Sequence, residues 1–273
     1  MKQGLLPLSF DQPEIVILPP QDVLVTLAGL SEPVTTTILD PWYNKGVGGV
    51  RDDYLEWVHT LLAAAARVSQ HIFFWGFPEI VCKALDRLPE DFELVAWLTW
   101  YYKNCPSVIR GWRSSQLACL HLRNPSAKLY PEHFLNEAQL GKLREGKLRY
   151  IPGPTSVIEV PLQIGFVGRA EQMGHPAQKP AKVFEPLILM TTQEGDTVLD
   201  PMCGAGTTGV VCRALGRKAI LCDSSEEYVT MTERRLDLAR AGAVSGAPES
   251  NLSGTHIPIS SHPQRQPERS HIH

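Results

Sequence analysis

Residues 197–208 read Thr197-Val198-Leu199-Asp200-Pro201-Met202-Cys203-Gly204-Ala205-Gly206-Thr207-Thr208. A short apolar run ends in an aspartate-proline pair, a loop with two glycines follows, and a stretch of helical periodicity begins at Thr207. Glycines in such a loop let a ligand approach the backbone at the carboxyl edge of a sheet. The helix Thr207 to Leu215 leads to a strand Ala219 to Cys222 that ends at Asp223, and then to a helix Glu226 to Ala239. Strand and helix alternating in this way predict a parallel sheet covered by helices. Asp223 follows Asp200 at about the spacing at which nucleotide-binding folds place an acid on ribose hydroxyls. A glycine pair alone also fits an ordinary strand-helix turn with a surface acid.

Working outward, Ala181 to Thr192 shows helical spacing and precedes a turn at Glu194-Gly195-Asp196. Nearer the N-terminus, Gln21 to Leu30 reads as a helix with a glycine stop and Val34 to Leu39 as a β-branched strand. Asp53 to Ala66 reads as an alanine-rich amphipathic helix, and His71 to Trp75 as an apolar strand closed by Gly76. The Val34–Leu39 strand also runs into an aspartate-proline pair, Asp40-Pro41-Trp42-Tyr43, and no other internal repeat is visible. Pro78 to Leu88 predicts a helix with proline at its start, and Phe92 to Tyr102 with Gln116 to Leu122 predicts an antiparallel hairpin at the sheet edge. Residues 125–174 hold several Pro and Gly and little periodicity, so they read as an irregular insertion. The fold class is α/β, a Rossmann-like and mostly parallel sheet with helices on both faces and an antiparallel edge hairpin, in one domain over residues 1–240. From 241 to 273 large apolar residues nearly vanish, which predicts a disordered tail.

Hydrophobic residues form 43% of the 273-residue chain and charged ones 20%, enough for one well-buried core, and no apolar run approaches the roughly 18 residues of a membrane helix. The start lacks the apolar stretch and cleavage site of a secretory signal, so the cytoplasm is the expected compartment, with no membrane partner. Cys82, Cys105, Cys119, Cys203, Cys212 and Cys222 form no Cys-x-x-Cys pair; buried free thiols, and no metal, are expected. The net charge of −3 does not mark a polyanion binder, but residues 101–150 carry nine Lys and Arg against three Asp and Glu. A basic middle suits phosphate contact, and a solvated surface has the same composition.

Taken in order, Asp40 to Tyr43, the insertion, His175-Pro176-Ala177-Gln178-Lys179-Pro180 and Asp200 to Thr208 resemble the S-adenosylmethionine-dependent methyltransferases that modify exocyclic amino groups in DNA, in the permuted order called the β group. The resemblance covers residues 20 to 240 and implies a circularly permuted methyltransferase fold. It implies that His175, Lys179 and Pro180 help hold the methionine end of S-adenosylmethionine. It places Asp200, Pro201, Cys203, Gly204, Ala205, Gly206, Thr207 and Thr208 around the cofactor, Asp223 on its ribose, and Asp40, Pro41, Trp42 and Tyr43 in the catalytic loop. Two departures stand out: Trp42 where the family has Pro, and Ala177 where a hydroxyl residue is common. In this family a leading Asp goes mainly with N6-adenine and a leading Ser with N4-cytosine, so adenine is the implied target and N4-cytosine the alternative. A catalytically decayed DNA-binding protein on the same fold is the alternative of another class, suggested by Trp42 and the short insertion. An RNA or protein substrate stays open.

An exocyclic amino nitrogen is a poor nucleophile because its lone pair is delocalised into the ring. The Asp40 carboxylate and the Pro41 carbonyl, both accepting from the amino group, would localise that pair. Tyr43 offers a flat face to a base that has left the duplex stack. Lys103, Arg110, Trp112 and Arg113 lie in one loop that combines cations with an aromatic, suited to double-stranded DNA. Lys128, Lys142, Arg144, Lys147 and Arg149 are further candidates for clamping the duplex. The insertion is small for a reader of a long site, which favours a homodimer or a short site, and a cognate restriction enzyme is a further candidate partner.

Overall fold

The computed structural model describes residues 14–44, 49–105, 108–109 and 111–237. Arg110 and the expected tail at 241–273 lie outside them. The strands are β1 (Ile15–Ile17), β2 (Val34–Leu39), β3 (Ser69–Gly76), β4 (Glu93–Tyr101), β5 (Val108–Ile109), β6 (Trp112–Arg113), β7 (Gln116–Arg123), β8 (Val157–Glu159), β9 (Thr197–Asp200) and β10 (Lys218–Leu221). The helices are α1 (Val23–Ala28), α2 (Tyr54–Ala66), α3 (Pro78–Ala84), α4 (Glu137–Arg144), α5 (Ala181–Thr191), α6 (Thr207–Leu215) and α7 (Glu226–Leu236).

Eight strands form one sheet in the order β1-β10-β9-β2-β3-β7-β4-β8, and β5 pairs with β6 separately. The run from β1 to β3 is parallel throughout, and β7 pairs antiparallel with both β3 and β4. The expected Rossmann-like α/β sheet is therefore present. Its hairpin is not the outermost element, because β8 adds to β4 in parallel.

Both faces are covered because both faces of the central strands are apolar. On β3, Phe73 and Trp75 enter one core with α5, α6 and α7, while Ile72 and Phe74 enter a second with α1, α2 and α3. Such two-sided burial is why these strands read as continuous apolar runs instead of alternating ones. Most expected elements lie within a few residues of their observed bounds.

Two readings need correction. Residues 125–174 are not simply irregular: α4 starts at a capping box in which Asn136 and Gln139 exchange side-chain and backbone hydrogen bonds, each 2.9 Å long. The capping residues satisfy backbone N–H groups that the short helix leaves open, so it forms with little apolar periodicity. The strand β1 was not expected at all, since three residues carry no readable period and their structure comes from pairing with β10.

Candidate active site

From β2 the chain passes through α2 to β3 on one side, and from β9 through α6 to β10 on the other. The carboxyl ends of β2 and β9, which pair directly at Thr36–Val198 and Thr37–Leu199, thus flank a topological switch point, where open α/β sheets bind ligands. Two aspartate-proline pairs that stand 160 residues apart in sequence meet there in a cleft of about 610 Å³. One wall is Asp40 to Tyr43, another is Asp200 to Ala205 with Thr207 and Asp223, and His175 to Lys179 forms a third. That volume is in the range of small-molecule sites.

The glycine loop is shaped for close approach. Gly204 and Gly206 have φ of 50° and 70°, in the region that disfavours side chains. A Cβ at Gly204 would meet the His175 ring at 2.9 Å, and one at Gly206 would meet Thr232 at 2.8 Å. Asp223, nearly buried at the end of β10, accepts from the Gly204 N–H at 3.0 Å and the Ser225 N–H at 2.9 Å. Asp200 is buried and accepts from the Thr208 hydroxyl and, at 3.2 Å, from the Met202 N–H. Burial pushes its carboxyl up to about 7, against the lowering effect of these hydrogen bonds, with Asp40 and Asp223 adding a smaller upward push. Thr207 donates to the Lys179 carbonyl at 3.0 Å, and Arg235 donates to Thr207 and to the Ala205 carbonyl, each at 2.9 Å. A glycine loop packed too closely on His175 and Thr232 to admit side chains, beside carboxylates that line the same cleft, fits the cationic sulfonium cofactor that the motif order implies.

The acceptor side is built differently. Asp40 keeps 18% of its side chain exposed and forms an ion pair with Lys179, whose side chain is 1% exposed. The Tyr43 hydroxyl donates to Asp40 at 3.1 Å and accepts from the Lys179 ammonium at 2.8 Å. Burial first, and Asp40 second, push the Tyr43 hydroxyl far above its ordinary pKa, so it stays protonated as a donor. Its ring lies 4.9 Å from Phe77. Trp42 packs into an aromatic group on α2, 5.5 Å from Tyr54 and 4.8 Å from Trp57, and its carbonyl accepts from the Tyr54 hydroxyl at 2.5 Å. Among the described residues its indole N–H is buried with no partner.

The structure thus brings together Asp40, Pro41, Trp42, Tyr43, His175, Lys179, Asp200, Pro201, Cys203, Gly204, Ala205, Thr207 and Asp223 around one cleft. Gly206, Thr208 and Pro180 stand behind it as supports: Gly206 and Pro180 cap α6 and α5, and Thr208 holds Asp200. Arg235 and Tyr228, whose ring lies 4.3 Å from His175, were not foreseen, because neither belongs to a local motif.

The expected DNA-contacting residues do not line the cleft. Lys103 pairs with Glu159 at 2.5 Å, Trp112 on β6 is 83% exposed and Arg113 is exposed. Lys128, Lys142, Arg144, Lys147 and Arg149 are exposed too, with Lys147 paired to Glu145 at 2.9 Å. Five cysteines are buried, but Cys82 is exposed, a correction explained by its place on the outer face of α3. Among the described residues no cluster could hold a metal, and no helix is long and apolar enough to cross a membrane.

Comparison with known proteins gives the family and the fold. A family model described as DNA methylase matches residues 34–234. The Type II methyltransferase M.HpaI of Haemophilus parainfluenzae is 29% identical over 217 residues, 73% of this chain and 67% of the relative. The DNA adenine methyltransferase YhdJ of Escherichia coli strain K12 is 28% identical over 268 residues, 88% of each chain. Among solved structures, the M1.HpyAVI-SAM complex superposes with a TM-score of 0.63 at 23% identity, covering 82% of this chain and 100% of that one, which shows a shared fold.

Proposed function

The chain belongs to the DNA methylase family and is an S-adenosylmethionine-dependent DNA methyltransferase, and we propose that it methylates the N6 amino group of adenine in double-stranded DNA. The observation that carries the target is Asp40, a carboxylate at the rim of the cleft that also contains the glycine loop. S-adenosylmethionine, when bound, supplies a methyl group on a positively charged sulfur. Asp223 would take the ribose hydroxyls, and Gly204 and Ala205 would let the cofactor lie against the backbone. His175, whose ring lies 4.3 Å from that of Tyr228 at an interplanar angle of 60°, would close the loop from the other side.

Asp40 accepts one amino hydrogen and the Pro41 carbonyl the other, since the Trp42 carbonyl is already engaged by Tyr54. Two acceptors localise the nitrogen lone pair as it attacks, and most of the acceleration comes from position and electrostatics. Tyr43 supplies part of the wall against which the extruded base rests. The similarity to YhdJ, named as an adenine enzyme, supports the same choice. Exposed Lys103, Trp112 and Arg113 would meet the duplex outside the cleft, and a homodimer or a cognate restriction enzyme in the cytoplasm completes the proposed setting. The test is transfer of labelled methyl from S-adenosylmethionine to unmethylated duplex DNA, followed by nucleoside digestion and mass spectrometry. N6-methyladenine is expected; N4-methylcytosine would reassign the base, and no transfer with cofactor bound would favour a decayed DNA-binding protein.

A further inference from the structure

We propose that Lys179 is a positioning residue that holds Asp40 and ties it to the glycine loop, and that it is not a ligand of the cofactor's methionine end; this rests on the methyl-transfer reading above. The Lys179 ammonium is enclosed by the Asp40 carboxylate, the Tyr43 hydroxyl at 2.8 Å and the Trp75 ring at 5.3 Å. A charge so buried persists only beside its counter-charge, so the side chain is committed to Asp40. Each carboxylate oxygen has two lone pairs, which leaves Asp40 able to accept an amino hydrogen while Lys179 holds it.

The main chain of the same residue belongs to the other half of the site. Its carbonyl accepts from Thr207, at the start of α6, and Thr207 is held in turn by Arg235. On one side Pro180 caps α5, and on the other Gln178 is fixed by bonds to the Met173 N–H at 2.9 Å and the Glu171 carbonyl at 2.6 Å. One residue therefore carries the position of the glycine loop across the cleft to the carboxylate. Loss of that link displaces Asp40 from the reacting nitrogen, and a displacement of about 1 Å at a reacting group costs on the order of 100-fold in rate.

The test uses the full chain with Lys179→Met, Lys179→Arg, Asp40→Asn and the Asp40→Asn/Lys179→Met double variant. Lys179→Met is expected to lower kcat about 100-fold while the dissociation constant of S-adenosylmethionine, measured by calorimetry, stays within about threefold. Lys179→Arg, which keeps the charge, recovers part of kcat. In thermal denaturation without cofactor, Lys179→Met destabilises the wild type more than it destabilises Asp40→Asn, as expected of paired groups. A tenfold or greater loss of cofactor affinity with kcat retained at saturation overturns the proposal, and so does strict additivity in denaturation. If the wild type methylates no DNA, the methyl-transfer reading fails, while cofactor affinity and the denaturation cycle still decide the role of Lys179.

Discussion

The two aspartate-proline strand ends share a dipeptide and a place in the sheet, yet they are built for opposite tasks. Asp40 is partly exposed, salt-bridged to a buried lysine and open to the cleft. Asp200 is 2% exposed, its carboxyl accepts from a hydroxyl and a backbone amide, and burial pushes that carboxyl up to about 7. The loops after them differ as well. The one after Asp200 takes its left-handed residues as Gly204 and Gly206, whereas the one after Asp40, among its described residues, has Gly49 and also Asn44, at φ 53°, whose side chain bonds the Arg51 backbone N–H and carbonyl at 2.6 and 3.0 Å. A salt-bridged, addressable aspartate acts on a substrate; a buried, partly protonated one shapes a loop.

The comparison breaks most decisively on the paired substitutions to asparagine. Asp40→Asn removes the anionic acceptor and is expected to lower methyl transfer by about 10³-fold or more, with cofactor binding largely intact. Asp200→Asn replaces a carboxyl that burial leaves only partly ionised at neutral pH with a group of the same shape that keeps an acceptor oxygen, so transfer should stay within about tenfold. Single-turnover kinetics on duplex DNA separates the two. The reverse ranking would place the chemistry at the wrong strand end.

How far these roles could be read from sequence follows the same division. The glycine loop was legible residue by residue because its chemistry is local: strand end, Gly204, Gly206 and helix start lie within a dozen positions. Asp40 was legible as a strand end, but its partner was not, since the Lys179 pair joins residues 139 apart and only tertiary packing selects it. The motif had pointed Lys179 toward the cofactor. Trp42 stands out in the sequence only as a departure from the family's Pro; its packing against Tyr54 and Trp57 depends on α2, which local sequence cannot place. Helix α4 was missed because its capping box stabilises a segment with little periodicity, and β1 because three residues carry no pattern.

A smaller effect sharpens the contrast on the glycine side. Gly206→Ala forces a side chain into the left-handed region, at about 1–2 kcal/mol, and against Thr232 at 2.8 Å. Cofactor affinity should fall roughly 10- to 100-fold, while kcat at saturating cofactor changes less than in Asp40→Asn. Calorimetric titration with S-adenosylmethionine measures it, and unchanged affinity would mean that the left-handed turn at Gly206 does not shape the cofactor side of the loop.

Smaller again is the pH dependence of binding. A cationic ligand favours ionised Asp200, which in the free protein titrates at about 7, so binding releases a proton from it. Affinity should therefore rise between pH 6 and 8, by up to about tenfold from this group. Asp200→Asn removes that contribution, and the ligand's own titration is common to both proteins. Parallel pH profiles for wild type and variant would show that Asp200 does not sense the cofactor.

The smallest effect is on stability, and here two buried groups work against each other. The folded carboxyl of Asp200 titrates above its unfolded value, so its stabilising contribution is complete at low pH and is lost as pH rises through about 7. The His71–His121 pair, 3.2 Å apart between β3 and β7, behaves in the opposite sense. Burial depresses His71 to about 4 and His121 to about 3, so the unfolded chain takes up protons first and stability falls as pH drops below the ordinary histidine value. The wild-type profile blends both slopes and would look nearly flat near neutrality. The difference between Asp200→Asn and wild type cancels the histidines and isolates one carboxyl. Denaturant titrations should show that difference moving in favour of the variant by about 1 kcal/mol between pH 6 and pH 8. A difference independent of pH would mean that Asp200 is ionised throughout, and the two strand ends would then share one electrostatic character after all.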